Sequence, residues 1–539
     1  MKYAWARWGD LNAFFGLMLD NMTVMILLVA LITSSTPSRD HYTREFVLTQ
    51  MIPGTALGVL LGDLVYTWMA FRLARRTGRS DVTAMPLGLD TPSLFGVGPL
   101  VLLPALKVGM EMSGDHERAM VFGWHVAAMV LVITGVFKTF LAPLGSAIRS
   151  WVPRAGLLGS LAAIALVLIA FVPLWSHIAD VPIVGMLSLT IILVALVAHR
   201  ALPFHLPGAL AAVILGVIVF WGGNYLGEIL NVPLVPPPPG HESISWRAPM
   251  LFPTFAMDIS WWEKVFVQAL GYLPVMLPFA LATIVGGIDC TESAAAAGDE
   301  FDTRTVLLTE GVASLAAGLC GGVIQTTPYI GQPAYKAMGG RAAYTLATAI
   351  FVGVAGISGW FHVLFNWLPE AAMFPILVFV GLEITAQSFK ATPVRHYPAL
   401  ALAVLPALAV LVTMPQKGDP KDAKDQALLC LANGFIVTSM LWAAALAAIL
   451  DGRLKRAATY FGVAGACSLF GIIHSPLRQA VIALPQHVYE EMPQKTEFLC
   501  QSPFHWAAAY VLAAIMLRCL AVCRTDHDTS DHETPQSFT

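Results

Sequence analysis

TAMPLGLDTPSLFGVG (residues 83–98) places an acid, a hydroxyl and a helix-breaking proline in consecutive positions, Asp90-Thr91-Pro92, within an apolar tract. A second tract, IQTTPYIGQPAYKAMGG (324–340), has the same character: proline and glycine interrupt it, and the polar Gln332 directly precedes Pro333. Proline suits the first turn of a helix, where its missing N–H is not needed. Both tracts therefore read as extended first and helical afterwards, with Thr91 and Gln332 at the helix starts. Broken backbone survives at membrane depth only where protein or a water-filled cavity satisfies its polar groups. Two half-helices whose N-termini meet there offer free N–H groups and positive dipole ends, suited to an anionic or carbonyl-bearing solute. A proline kink used for packing is the alternative for either tract alone, and recurrence in both favours a binding site.

Composition sets the solvent. Of 539 residues, 57% are hydrophobic and 12% charged, where a soluble chain carries about 25% charged. Apolar runs of 18 or more residues recur and mark transmembrane helices. The net charge of −3 and the thin scatter of basic residues argue against a nucleic-acid partner. A small-molecule solute and the lipid bilayer are the expected partners, and a homodimer is compatible with them. No cofactor is expected apart from a coupling ion, H⁺ or Na⁺. The seven cysteines lie mostly in apolar segments, with a spacing that fits neither a metal site nor a disulfide framework. The start, MKYAWARWGDLNAFF, has no small-residue cleavage site, so the first helix reads as retained.

Hydropathy places spans near 10–34, 48–71, 83–106, 121–142, 155–174, 179–198 and 206–229. After the Pro-rich NVPLVPPPPGHES, further spans lie near 266–297, 305–322, 326–339, 342–366, 370–388, 397–414, 427–450, 456–475 and 504–523. The expected fold is an all-α polytopic membrane protein, a 7+7 inverted repeat. Its helices break at spans 3 and 10, and two further spans follow. The organisation is then 1–229 (first repeat), 230–265 (extracellular linker), 266–450 (second repeat), 451–525 (two added spans) and 526–539 (cytoplasmic tail). Placing both termini inside puts twenty of the 31 lysines and arginines on the cytoplasmic side, Lys138 among them. The expected location is a cell membrane, the bacterial inner membrane, crossed many times. Trp261 and Trp262 then fall in the outer aromatic belt.

Carboxylates at the bilayer centre cost about 2.5–3.5 kcal/mol each and usually mark function. The first span holds Asp20-Asn21, and the eighth holds Asp289 and Glu292, three apart on one helical face. Glu292 is the leading candidate for solute contact. Asp289 could bind the coupling ion, carry a proton or brace Glu292. Asp20 and Asn21 read as a coupling or a structural pair, and Asp90 joins the ion-coupling candidates. Asp63, Glu310 and Glu383 are intramembrane without an assigned role. Gly54, Gly58 and Gly62 form a ridge for close helix packing. His125 and His362 read as interfacial.

The array of seven plus seven spans with broken third and tenth members resembles the nucleobase:cation symporter-2 family, the uracil/xanthine permeases. GRSDVTAMPLGLDTPSLFG (78–96) looks like the third-span start of its purine-permease-like bacterial branch, and the resemblance covers roughly residues 8–450. It implies a core (spans 1–4 and 8–11) moving against a gate (spans 5–7 and 12–14). It also implies that Glu292 and Gln332 hydrogen-bond a base, that the backbone near Ser93 donates, and that Phe95 covers the ring. Thr91 and Tyr329 complete the implied solute-binding set. The family's tenth-span signature is kept only at Gln332 and Arg341, with Pro333, Tyr335 and Gly340 replacing Asn, Gly and Thr.

The function expected is secondary active transport, proton- or sodium-coupled symport of a purine, xanthine or uracil. The alternative is an anion transporter of the sulfate-permease type on the same fold. Against it stand an acid beside the pocket and a tail after residue 524 too short for that family's common cytoplasmic domain. An intramembrane enzyme finds no His-Glu-x-x-His, Gly-x-Ser-x-Gly or convincing nucleophile–base pair.

Overall fold

The computed structural model describes residues 3–33, 39–144, 154–198, 200, 202–203, 206–236, 258–329, 331–414, 420–477, 484–492 and 496–530. Most of the Pro-rich linker, 237–257, and residues 531–539 of the expected tail lie outside the described residues. In chain order the elements used below are α1 (Gly9–Ile32), α2 (Ile52–Thr77), β1 (Leu87–Leu89), α3 (Thr91–Val97), α4 (Leu103–Ser113) and α5 (His116–Leu141). Next come α6 (Arg154–Ile164), α7 (Pro182–Ile192), α8 (Gly208–Leu230), α9 (Ile259–Ala296) and α10 (Thr303–Leu319). The rest are β2 (Thr326–Pro328), α11 (Gln332–Ala337), α12 (Ala343–Ile357), α13 (Tyr397–Thr413), α14 (Phe435–Leu450), α15 (Leu454–Leu469) and α16 (Pro503–Ser530).

Among the described residues, nine helices are long and apolar enough to cross a membrane, and two bent pairs raise this to 11. The sixteen expected spans are more numerous because five are short or broken here, Pro182–Val197 and Ala343–Ile357 among them. Residues 326–339 hold β2 and α11, while α10 and α15 have 17 and 16 residues, below the roughly 20 that cross a bilayer upright.

Both tracts break as their sequences require. Each is a three-residue strand followed within a few residues by a short helix carrying proline in its first turn. The strands pair with each other antiparallel, Leu87 with Pro328, Gly88 with Thr327 and Leu89 with Thr326. Pro99 and Pro104 lack an amide proton, and between α3 and α4 the chain takes a π-helical stretch, Gly98–Leu102.

The packing around this ribbon repeats itself. α2 packs on α12 as α10 packs on α5, and α1 packs on α12 as α9 packs on α5. β1 lies against α1 and α2 as β2 lies against α9 and α10. Exchanging the halves maps each contact onto its counterpart, and the antiparallel strands mark the local twofold. The chain is an all-α polytopic membrane protein with the 7+7 inverted-repeat fold, broken at spans 3 and 10.

The glycine ridge packs as expected. A Cβ at Gly54 would run into the Gly322 amide and the Cys320 carbonyl, and one at Gly62 would sit 2.6 Å from the Leu87 side chain. α2 thus meets the backbone of the loop after α10 directly at Gly54 and makes room for the Leu87 side chain of β1 at Gly62.

The chain divides into two compact units, Met1–Ile148 with Ile169–Glu383, and Arg149–Leu168 with Ile384–Thr539. The first holds the ribbon and both short helices. It also holds α7 and α8, whose Val184 and Phe220 cluster with Ala371 and Ala372, so the division does not follow the boundary expected at 229. In the second unit α6 packs against α13 and α14, α14 against α15, and α15 against α16. The Tyr510 hydroxyl of α16 lies 2.6 Å from His474 Nε2 and accepts from Trp442 Nε1 at 2.8 Å. His474 also stacks on Trp506, with ring centroids 3.9 Å apart.

Candidate functional site

The ribbon alternates its backbone groups between two sides. Toward β2, the Asp90 amide donates to the Gln325 carbonyl and the Tyr329 amide to the Pro86 carbonyl, each at 2.9 Å. Away from it, Leu87 donates to Asp63 Oδ1 at 2.9 Å and Leu89 to Asn21 Oδ1 at 3.0 Å. On β2, the Thr326 amide donates to Ser314 Oγ at 3.0 Å. Asp63 on α2 and Ser314 on α10 thus serve the same purpose in the two halves. Each satisfies the first amide of its strand, as buried backbone requires.

Beyond Leu89, Asp90 caps α3: its Oδ2 accepts from the Ser93 amide at 3.0 Å and from Gln325 Nε2 at 2.9 Å. Ser93 Oγ returns a bond to the Asp90 carbonyl at 2.9 Å. The Ser93 amide, expected to meet the solute, is therefore committed to the cap. Thr91 and Phe95 are buried on α3 at 4% and 3% exposure.

Behind the same end of the ribbon lies Lys138 of α5, 1% exposed. Its Nζ is 2.5 Å from Glu310 Oε1 of α10, donates to the Thr326 carbonyl at 2.9 Å, and reaches Gln325 Oε1 at 3.5 Å. Counting Lys138 with the cytoplasmic charges is thus corrected: the residue is inside the protein. A lone lysine within span 4 and a lone glutamate within span 9 were the available signal. Charges that deep normally pair or face a cavity.

At the other end of the ribbon Tyr329 stacks beside Tyr335, with centroids 6.2 Å apart. Gln332 opens α11, with Nε2 donating to Asp299 Oδ2 at 2.9 Å and to the Thr83 carbonyl at 3.2 Å. Asp299, buried and missed by the sequence reading, also accepts from the Thr83 amide at 3.0 Å. It pairs with Lys336 at 2.7 Å and Arg79 at 3.3 Å. Gln332 thus fastens α11 to the segment leading into β1.

Of the remaining candidates, Asp20 and Asn21 lie against β1. Asp20 of α1 is 4% exposed, near Gly88, and its Oδ1 has no hydrogen-bond partner among the described residues. Asn21 holds Leu89 and donates from Nδ2 to the Leu17 carbonyl. Glu292 is exposed and lies four residues before the end of α9; Asp289 is on the same helix, its side chain outside the described set. His125, expected at an interface, is fully buried, accepting from Trp261 Nε1 at 3.0 Å and stacking on Trp262. No cluster of three or more potential metal ligands occurs among the described residues.

No protein-family model matches the chain, and no curated protein does. Among solved structures it resembles the transmembrane domain of a cyanobacterium bicarbonate transporter, BicA, at 13% identity and a TM-score of 0.43, over 81% of this chain and 97% of that one. It resembles SLC26A9 at 12% identity and 0.49, over 82% of this chain and 65% of that one. It also resembles murine Slc26a9, an anion transporter in the inward-facing state, at 14% and 0.45, over 76% and 68%. These are anion transporters. The expectation of a nucleobase:cation symporter-2 member, with a purine, xanthine or uracil as its solute, is corrected accordingly. The physical reason is local: Gln332, retained from that pattern, spends its amide donors on Asp299 and Thr83, and the Ser93 amide is committed to Asp90.

Proposed function

We propose that this protein is a secondary transporter of a small anion, received at the two breaks of the first unit. One observation carries the reading. Because β1 and β2 are antiparallel, α3 and α11 leave opposite ends of the ribbon, and their N-termini face each other across it. Three residues at about 3.3 Å each keep those positive ends roughly 10 Å apart. Behind one of them Lys138, paired with Glu310, donates to the Thr326 carbonyl.

The acids expected to repel an anion are otherwise engaged. Asp90 is taken up by Ser93 and Gln325, Glu310 by Lys138, and Asp63 by Leu87. Asp20 Oδ1, like Asp63 Oδ2, lacks a hydrogen-bond partner among the described residues, and a proton carried at Asp20 would accompany the anion. Thr91, Phe95 and Tyr329 form the proposed solute-facing set, with Glu292 at the end of α9. Gln332 and Ser93 act through the bonds described above, and Asp289 with Asn21 remains on the coupling side. The proposed location is a bacterial inner membrane with both termini cytoplasmic.

Uptake by purified protein in sealed vesicles tests this, with labelled bicarbonate, sulfate and chloride under an imposed gradient. Saturable accumulation of at least one anion is expected, without competition by uracil or xanthine. Vesicles that accumulate none of the three would refute the reading.

A further inference from the structure

Lys138 is the most deeply buried cation among the described residues. Its ion pair with Glu310 gives no sufficient account of it, since replacing a buried pair by apolar side chains of similar size is often neutral or stabilising. The ammonium also does more than pair. It donates to the carbonyl of Thr326, which sits opposite Leu89, and reaches Gln325, the residue that holds Asp90. The chain of contacts Glu310–Lys138–Gln325–Asp90 ends on the Ser93 amide at the tip of α3. It draws in α10, α5, the approach to β2 and the start of α3, elements from both halves.

We infer that Lys138 is a positioning residue for anion binding, holding the Asp90 cap and the end of the ribbon in register through Thr326 and Gln325. This deepens the proposed function and rests on it. Gln325 passes that position on to Asp90, and the ammonium anchors it by donating to the Thr326 carbonyl while pairing with Glu310. Arginine keeps a cationic donor at this place, and a paired neutral replacement removes it without leaving Glu310 alone.

The experiment compares wild type, Lys138→Arg, Lys138→Met/Glu310→Leu and Lys138→Gln/Glu310→Gln in sealed vesicles. It measures KM and maximal rate for whichever of bicarbonate, sulfate or chloride the wild type accumulates. Folding is followed by thermal unfolding of the same preparations. The neutral pairs should fold and raise KM about tenfold or more, with a smaller change in maximal rate, the mark of lost binding. Lys138→Arg should restore KM most of the way. A neutral pair that folds and keeps the wild-type KM overturns the inference, as does an arginine variant no better than the neutral ones. The Gln/Gln pair retains hydrogen-bonding groups and carries the comparison should the apolar pair not fold. Wild-type vesicles that move no anion overturn the functional reading itself, and this inference with it.

Discussion

Gly54 is buried against backbone: the Gly322 amide and the Cys320 carbonyl occupy the space a side chain would need. Backbone cannot swing aside as a flexible side chain does, so Gly54→Ala should destabilise by about 1–3 kcal/mol, the usual cost of overpacking. Thermal unfolding in detergent checks this, and Gly222→Ala, which meets nothing within 4 Å, is the control. Asp20 is the residue whose chemistry is least absorbed by its surroundings. Asp20→Asn should remove the pH dependence of anion uptake while leaving anion exchange at fixed pH. Persistence of that dependence would assign proton coupling elsewhere. At this scale the sequence was legible where a polar residue stood out against apolar neighbours, as with Asp20, Asn21 and Asp90. It misled at Lys138, whose place near the end of an apolar run suggested a loop. It was silent on Asp299, whose importance comes from Gln332, Lys336, Arg79 and Thr83 converging on it from distant parts of the chain.

The break helices α3 and α11 have seven and six residues, and isolated helices so short do not persist; Asp90 caps α3, while Gln332 ties α11 to Asp299 and Thr83. Asp90→Ala removes the cap and orphans Gln325, and should destabilise by roughly 0.5–2 kcal/mol. Asp90→Asn, a comparable cap, should recover most of that. Denaturant titration of both variants separates them. In the second unit, Asp451 follows α14 and lies 2.7 Å from His396 Nε2 and 3.0 Å from Arg395 just before α13. Burial pushes its carboxyl up, but the hydrogen bond to His396 and the neighbouring positive charges outweigh this and hold it below the usual carboxylate range. Its contribution is therefore present above the unfolded value of about 3.9 and is lost as pH falls through the lower folded value. Asp451→Asn should flatten the acid limb of the thermal midpoint between about pH 5 and pH 2. An unchanged limb would show that the contact is not coupled to unfolding. The strand-then-helix form of both breaks was readable from proline placement alone. Their mutual pairing was not, because no local pattern specifies which distant strand an amide will find.

For the molecule as a whole, the inverted repeat was readable because the two breaks occupy the same ordinal span in each half. The span count was overdrawn because apolar tracts such as 326–339 are half-crossings. The proposed orientation has a direct test, cysteine labelling from either side of intact cells after replacing the exposed Cys500, Cys519 and Cys523 by serine. Thr77→Cys at the end of α2 should react only with permeant reagent, and Ser260→Cys at the start of α9 with impermeant reagent. The reverse pattern would invert the topology.

The ribbon also has a consequence for biogenesis. Gln325 is 235 residues downstream of Asp90, so a ribosome adding about 5–20 residues per second needs tens of seconds between them. During that interval the nascent first half carries an open strand edge at membrane depth. Only the amides of Leu87 and Leu89 are provided for from within the same half, by Asp63 and Asn21. A polypeptide released before the second half is made should be cleared by membrane quality-control proteases. Co-expressing the complementary piece, with the cut placed in 237–257, should rescue it.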